Sequence, residues 1–336
     1  MSTPTMSDVA RLAGVSEATV SRTLANPGKV APATRERVES AARELGYRVN
    51  HVARNMRSGK ARIIGLVVSD LTNPFFTALA RSCEDAAAAR GYSLIISNTD
   101  ESPERESSSI EVMAAERVAG VLLASTNRAG DSIDAIRHLG IPVVALDRRI
   151  DGITTDTVVV DNFAVGYQAA THLADLGHER IAIIRGPEEV SSLGERFAGF
   201  TQGLRERGLA LEDRYVIAGD LRSTGGYRAG RELLALPSPP TAVFSANNLA
   251  TLGLLRAVVE LEISVPDDLS IVGVDDIPGS ELFRPALSTI RQPTYQLGAR
   301  AIEALLDRVD EPERPISEIV LAATFEPRGS TAAPRL

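Results

Sequence analysis

Several short apolar runs of this 336-residue chain end in a side chain that can bind a hydroxylated ligand. IIGLVV is followed by Ser69 and Asp70, VVAL by Asp147, FSA by Asn247 and VGV by Asp275. Carboxylates accept hydrogen bonds from ligand hydroxyls, and amides both accept and donate them. Because ligands bind outside the carboxyl ends of strands in open α/β sheets, these residues are expected to meet in one cleft.

Two further groups complete the chemistry of the expected cleft. Arg196 offers a fork of hydrogen-bond donors, and Phe75 or Phe76 offers an apolar face to a sugar ring. Asn73, together with Asp70, fits a simple strand-to-helix turn as well as it fits a ligand contact. For Asp147, Arg196, Asn247 and Asp275, ligand contact is favoured over a purely structural role. The set suits a polyhydroxylated ligand.

Catalysis has little support in the residue pattern. The paired acids Asp267-Asp268 and Asp275-Asp276 invite comparison with glycosidases, but adjacent acids in a strand point in opposite directions and cannot flank one bond. The sequence contains neither GxSxG nor HExxH, and Gly59-Lys60 lacks the earlier glycine of a phosphate-binding loop. The four histidines are scattered, and Cys83 is the single cysteine. No catalytic residue, metal or cofactor is therefore expected.

From residue 62 onward, branched apolar runs alternate with stretches of helical periodicity. The runs are IIGLVV, YSLIIS, VAGVLLA, IPVVALD, RIAIIRG, TAVFSAN and LSIVGVDD. This alternation is typical of parallel α/β sheets. Because two series of such units occur, we expect a two-lobed domain with a cleft between the lobes.

Positive charge is concentrated at the N-terminus of a chain whose net charge is −8. Residues 1–60 contain ten lysines and arginines against five acids, so they carry +5 and the remaining residues carry −13. A basic head on an acidic body is expected when one end of a protein contacts DNA phosphates. No apolar run reaches the roughly 18 residues of a membrane span, and residues 1–30 lack an apolar signal core. We expect a cytoplasmic, nucleoid-associated protein with no membrane partner.

The basic head carries the signals of three short helices. A capping box of Thr5 and Asp8 starts the first, which runs to about residue 13. Ser16 is a good N-cap for the second, over residues 17–24, and Gly46 stops the third, which begins at residue 32. The arrangement is a helix-turn-helix, whose second helix presents its first turn to the major groove of DNA.

The exposed face of the second helix is short and polar. Arg22 can donate to guanine O6 and N7, Glu17 can accept from cytosine N4, and Ala18 can pack on a thymine methyl group. For any one of these residues a solvated helix face is an equal alternative. The whole pattern favours DNA recognition.

A long series of head residues carries a family resemblance. These residues are Asp8-Val9-Ala10-Arg11-Leu12-Ala13-Gly14-Val15-Ser16, Thr19-Val20-Ser21-Arg22, Thr34-Arg35-Glu36-Arg37-Val38, Leu45-Gly46-Tyr47 and Asn50-His51-Val52-Ala53-Arg54-Asn55-Met56-Arg57-Ser58-Gly59. They resemble the DNA-binding signature of the lactose-repressor (LacI/GalR) family, and the resemblance extends over essentially the whole chain. It implies that the major groove is contacted by Ser16, Glu17, Ala18 and Arg22. It also implies that DNA phosphates are contacted by Thr5, Thr19, Ser21 and Thr34.

The same resemblance implies a hinge helix at residues 49–60, with Asn50, Ala53, Met56 and Arg57 at the DNA minor groove. Two helical turns are marginal in isolation, so this segment is expected to fold only on binding. Met56 stands where the family usually has the leucine that wedges into a central base step. A linker residue that packs on its own domain is the less favoured alternative for Met56.

The resemblance also implies the fold of the whole chain. An all-α helix-turn-helix head, residues 1–48, and the hinge precede an α/β two-lobed, periplasmic-binding-protein-like (type I) effector domain at residues 61–336. Lobe one is expected over 61–160 and 292–322, and lobe two over 163–289. All the strand-end residues named above match effector-pocket positions of the family, and Leu221 falls near a pocket-lid position that is often aromatic there. Asn248 stands where the family usually has aspartate.

The function implied is that of a DNA-binding transcriptional regulator controlled by a small molecule. A homodimer would place two heads on a palindromic, double-stranded operator, and a sugar or sugar derivative would release the repressor. A purine-type or other corepressor of the same family is the alternative. A small-molecule carrier with no DNA-binding role is a weaker one, because carriers have an export signal and no basic helical head.

Overall fold

The structure is a computed structural model of the chain, and it describes residues 4–25, 28, 30–47, 62–126 and 130–335. Residue contacts divide the chain into two compact units, Met1–Ala61 and Arg62–Leu336. The first unit contains the basic head, and the second contains the α/β body.

Three helices make up the described part of the head, namely α1 (Met6–Ala13), α2 (Glu17–Ala25) and α3 (Pro32–Leu45). The predicted capping box is present, because the Asp8 N–H donates to Thr5 Oγ1 and the Thr5 N–H donates to the Asp8 carboxylate. Gly14 then turns the chain toward α2 with a left-handed φ of 64°, which a residue with a Cβ rarely adopts. The helices enclose a small core that includes Val9, Val20 and Val38.

The body begins with lobe one, in which strands alternate with helices as the apolar runs predict. Its first elements are β1 (Ile63–Val68), α4 (Pro74–Ala89), β2 (Ser93–Asn98), α5 (Pro103–Ala115), β3 (Gly120–Leu123), α6 (Gly130–His138), β4 (Val143–Leu146) and β5 (Asp156–Val160). Strands β3 and β4 are buried along their whole length, as expected when helices cover both faces of a parallel sheet.

After β5 the chain crosses to lobe two, which repeats the same alternation. Its elements are α7 (Asn162–Asp175), β6 (Ile181–Arg185), α8 (Ser191–Glu206), β7 (Val216–Ala218), α9 (Ser223–Leu234), β8 (Ala242–Ser245), α10 (Asn248–Glu260), β9 (Ser270–Val274) and β10 (Ser288–Arg291). Strands β8 and β9 are fully buried between the two helix layers.

The chain crosses between the lobes three times. After β10 it returns to lobe one as α11 (Thr294–Asp310) and β11 (Glu318–Leu321), and it then re-enters lobe two as β12 (Thr324–Glu326). The sheet of lobe one has the strand order β11-β5-β4-β3-β1-β2, and that of lobe two has the order β12-β10-β9-β8-β6-β7. Among the strands of the described residues, only β12, which pairs with β10, is antiparallel to its neighbour. The sequence-based ranges for the lobes did not include this last return.

Paired helices of lobe two approach each other so closely that glycine is required at the contacts. A Cβ added at Gly166 of α7 would lie 1.8 Å from the carbonyl oxygen of Arg196 in α8. Likewise, a Cβ at Gly226 of α9 would lie 2.1 Å from the carbonyl oxygen of Ala250 in α10. Backbone therefore contacts backbone in both pairs, which fixes the position of Arg196 relative to α7.

Candidate effector cleft and DNA interface

The carboxyl ends of the strands in both lobes meet around one cleft, as the strand-end rule predicts. Its lining residues are Asp70, Asn73, Phe75, Phe76, Asp100, Glu101, Asp147, Arg148, Val190, Ser192, Leu193, Arg196, Asp220, Leu221, Arg222, Asn247, Asn248, Val274, Asp275 and Gln292. Nine of the ten sequence-predicted effector residues belong to this set. The structure therefore brings together residues from both lobes that lie more than 200 positions apart in sequence.

Ser69 is the predicted effector residue that does not line the cleft. Its side chain is completely buried, and its hydroxyl lies 3.5 Å from the carbonyl oxygen of Ala124 after β3. Ser69 is the first residue after β1, and its side chain points into lobe one while Asp70 faces the cleft. Its assignment as an effector contact is corrected here to a structural role.

Two cleft carboxylates stand at the ends of strands in left-handed backbone conformations. Asp147, after β4, has φ 68°, and Asp275, after β9, has φ 61°. Such conformations are uncommon for residues with a side chain and are concentrated at functional sites. Burial raises the pKa of both carboxyls. Asp147 lies 3.6 Å from the Arg148 guanidinium, whereas Asp275 accepts hydrogen bonds from the backbone N–H and side-chain amide of Gln292.

Arg196 occupies the centre of the polar network. Its Nε donates to Asn162 Oδ1 at 2.9 Å, its Nη1 to the Ala246 carbonyl at 2.8 Å, and its Nη2 to Gln292 Oε1 at 3.1 Å. Burial lowers the pKa of this guanidinium from its ordinary value. A guanidinium has five N–H donors, so Arg196 retains donors for a ligand after these three bonds.

Asn73, Asn247 and Asn248 each combine a local role with a position on the cleft. Asn73 caps α4 by accepting from the Phe75 N–H, and Asn247 caps α10 by accepting from the Ala250 N–H. The Asn248 amide donates to Asn73 Oδ1 at 2.7 Å and so joins the two lobes across the cleft. Asn73 thus forms the predicted turn and also lines the cleft, while its contact with a ligand stays a prediction.

Several charged residues of the cleft were not predicted from the sequence. Arg148 is buried and forms a bidentate ion pair with Glu101, with N···O distances of 2.8 and 2.7 Å. Asp100 and Asp220 follow β2 and β7 closely, so the strand-end rule applied to LIISN and VIA would have found them. No local pattern points to Arg148.

Asp276 lies outside the cleft, although it is adjacent to Asp275. Its carboxylate binds Arg328 at 2.6 Å and accepts from the Thr289 hydroxyl at 2.8 Å. Asp275 therefore lines the cleft, whereas Asp276 forms an ion pair outside it. This agrees with the argument that adjacent acids cannot act together on one bond.

On the head, the residues predicted to contact DNA fall into two groups by exposure. Ser16, Glu17 and Ala18 are exposed at the start of α2 and Arg22 is exposed in its last turn, while Thr19, Ser21 and Thr34 are half-buried. The Ser16 side chain accepts from the Thr19 N–H at 3.2 Å and so caps α2, and the exposed Thr5 caps α1. Asn50, Ala53, Met56 and Arg57 lie outside the described residues.

Comparison with known proteins matches both units of the chain. Residues 5–50 match the model of bacterial regulatory proteins of the lacI family, and residues 170–331 match that of a periplasmic binding protein-like domain. The Escherichia coli K12 transcriptional repressor CytR is 37% identical over 330 residues, which cover 98% of this chain and 96% of that protein. The chain belongs to the lacI family.

Other lacI-family members support the same assignment. The ribose operon repressor of Escherichia coli K12 is 36% identical over 97% of this chain and 99% of its own length. The structure of the lac repressor dimer bound to operator and the anti-inducer ONPF superposes with a TM-score of 0.87 at 27% identity, covering 99% of this chain and 100% of that one. The predicted family and the predicted two-part fold are thus confirmed.

The relatives named here are transcriptional repressors and not enzymes. Among the residues that the structure describes, no cluster of three or more histidine, cysteine or acidic side chains is arranged to hold a metal ion. None of the described helices is both long enough and apolar enough to cross a membrane.

Proposed function

We propose that this lacI-family repressor is released from a palindromic operator when a sugar or sugar derivative binds the cleft. The observation that carries the proposal is the convergence of Asp147, Asn247 and Asp275, from strand ends of both lobes, with Arg196 of α8. These groups offer acceptors and donors to vicinal hydroxyls, and Phe75 and Phe76 supply apolar surface beside them.

The head supplies the DNA-reading part of the proposal. In the proposed complex, Glu17, Ala18 and Arg22 read base edges in the major groove, and Thr19 and Ser21 hold the adjacent phosphates. The exposure of the first three side chains, in contrast to the half-buried Thr19 and Ser21, supports this division. The hinge residues Asn50, Ala53, Met56 and Arg57 remain a prediction of minor-groove contact from the sequence.

A homodimer is the proposed binding unit, acting in the cytoplasm at the nucleoid. An apolar groove on lobe two between α9, α10 and the segment before β10 supports it, because Leu252, Val259 and Leu282 are exposed there or at its edge. Exposed apolar surface of this kind is typical of protein interfaces. The lac repressor relative was solved as a dimer on its operator.

A sugar is preferred to a corepressor because acidic groups predominate in the cleft. Among relatives, an Enterococcus faecium regulator that is 33% identical, with a TM-score of 0.72 over 81% of this chain and 99% of that one, was solved with bound ribose. A PurR repressor from Erwinia tasmaniensis, 35% identical over 98% of this chain and 97% of its own, keeps the corepressor alternative open.

Thermal-shift screening against sugars and nucleobases, followed by operator binding with each compound that binds, tests the proposal. A sugar should raise the Tm and weaken operator binding. Asp275→Asn should abolish the thermal shift, whereas Asp276→Asn, at the neighbouring carboxylate outside the cleft, should preserve it. A nucleobase that tightened operator binding would replace the sugar proposal with the corepressor alternative.

A further inference from the structure

Acidic side chains outnumber basic side chains in the lining of the cleft. Six carboxylates line it, but only three guanidiniums do so, those of Arg148, Arg196 and Arg222. A phosphate ester carries a charge of about −1.5 to −2 near neutral pH and needs cationic donors to offset it. The recognition of such a ligand therefore depends on whether any of the three guanidiniums is available.

Two of the three guanidiniums are buried and already bonded to the protein. Arg148 pairs bidentately with Glu101 and also approaches Asp147, so it carries its own compensating charge. Arg196 bonds to Asn162, Ala246 and Gln292, and the carboxylates Asp147 and Asp275 act on it electrostatically. Neither can turn its whole fork toward a phosphate without leaving a buried acceptor unpaired.

The third guanidinium, that of Arg222, lies at the mouth of the cleft and is half exposed. Its Nη2 bonds to Asp100 Oδ1 at 2.7 Å, and this ion pair joins lobe two to lobe one. The backbone N–H of Arg222 donates to Asp220, whose carboxylate also binds Arg228. Arg222 is thus bonded to two acids, through its guanidinium to Asp100 and through its backbone N–H to Asp220. It is the most exposed of the three guanidiniums that line the cleft.

We propose that Asp100 is a specificity-determining residue, which occupies Arg222 and thereby makes the cleft select an uncharged sugar over its phosphate ester. This inference rests on the proposed function of the cleft as a sugar site. A phosphate entering beside Arg222 meets Asp100, Asp220 and Glu101, which also line the cleft, and like charges brought close together repel each other. Removing the charge of Asp100 frees the Arg222 fork for bidentate binding of phosphate oxygens.

The backbone conformation at residue 100 allows a substitution that removes the charge and keeps the turn. Asp100 has a left-handed φ of 54°, a region in which asparagine is also well tolerated. Asp100→Asn therefore removes the charge without straining the turn after β2. Arg105→Gln is the matched control, because Arg105 also pairs with Asp100, at 3.4 Å, but belongs to the same lobe and does not line the cleft.

The experiment measures the affinity of the full-length protein by calorimetry for two matched pairs of probes. These are D-ribose with D-ribose 5-phosphate, and D-glucose with D-glucose 6-phosphate. The wild-type protein should bind at least one neutral sugar more than tenfold more tightly than its phosphate ester. Asp100→Asn should reduce this preference at least tenfold, Arg105→Gln should leave it unchanged, and Asp100→Asn combined with Arg222→Gln should restore it.

The outcomes separate this inference from the proposed function. A phosphate ester that binds the wild-type protein as tightly as its neutral sugar overturns the specificity inference and leaves a sugar-derivative effector standing. If Asp100→Asn keeps the wild-type Tm and the wild-type preference for the neutral sugar over its phosphate ester, Asp100 is not a specificity-determining residue. If no probe of either kind binds and the sugar screen also finds none, the sugar effector is refuted, and the specificity of Asp100 is refuted with it.

Discussion

Gly166 does not line the effector cleft, but replacing it with alanine should weaken effector binding there. The added Cβ would lie 1.8 Å from the carbonyl oxygen of Arg196 and 2.8 Å from the backbone nitrogen of Phe200. To bring the first contact from 1.8 to 3.0 Å, α7 and α8 must separate by about 1.2 Å. Backbone atoms form both obstacles, so no side-chain rotation can relieve the clash.

The expected cost follows from that displacement. Overpacking of a close contact costs about 1–3 kcal/mol, and replacing a helical glycine by alanine returns up to about 1 kcal/mol. Gly166→Ala should therefore lower the free energy of unfolding by about 1–2 kcal/mol, or the Tm by about 2–8 °C. Because binding groups must be held to within about 0.5 Å, the shift of Arg196 should weaken effector binding at least tenfold.

Thermal unfolding and calorimetric titration of the full chain with the sugar found by screening measure both effects. Gly194→Ala is the matched control on α8, the helix that carries Arg196. Its Cβ would meet the Glu188 carbonyl oxygen at an ordinary 3.5 Å, so this substitution should keep or slightly raise the Tm and preserve binding. A Gly166→Ala protein with wild-type Tm and wild-type affinity would refute the reasoning that glycine contact positions Arg196.

Arg196→Lys should leave the oxygen of Asn162 or another of its acceptors without a donor. We expect a loss of about 1–3 kcal/mol in unfolding free energy and weaker sugar binding, and an unchanged affinity by calorimetry would contradict the role of Arg196. Burial lowers the pKa of His178 from its ordinary 6.5, so the folded state favours the neutral imidazole. Its contribution to stability is then complete above pH 6.5 and is lost as the pH falls further. The unfolding free energy, measured with urea between about pH 7.5 and 5.5, should decline as the pH falls, and the decline should be shallower in His178→Gln. If the unfolding free energies of the two proteins depend on pH in the same way, His178 is not the source of the decline. Arg22→Ala should cost about 1–3 kcal/mol of preference at one symmetric operator position, and an operator selection with unchanged preference would remove Arg22 from base reading.

Much of the cleft was predictable from sequence because a strand end is a local signal. Asp70, Asp147, Asn247 and Asp275 follow apolar runs, and parallel strands bring such residues to one edge. Ser69 was wrong for a local reason, because successive side chains of an extended segment point to opposite sides. A shift of one position at the end of a strand therefore decides whether a side chain lines the cleft.

The residues that sequence reasoning missed depend on backbone turns and distant partners. Asp147 and the next residue, Arg148, both line the cleft, so the simple alternation of sides fails there. Its partner Glu101 lies 47 residues earlier, and no spacing rule connects them. Similarly, β12 has only three residues and pairs antiparallel with β10, so its run was too short to predict a strand in lobe two.

Arg196 bonds to a residue at each of two chain crossings between the lobes. Asn162 stands just after β5, where the chain first passes into lobe two, and Gln292 stands just after β10, where it returns. Any displacement of this guanidinium would therefore disturb both connecting segments at once. One side chain of the cleft is thus bonded directly to two of the three segments that join the lobes.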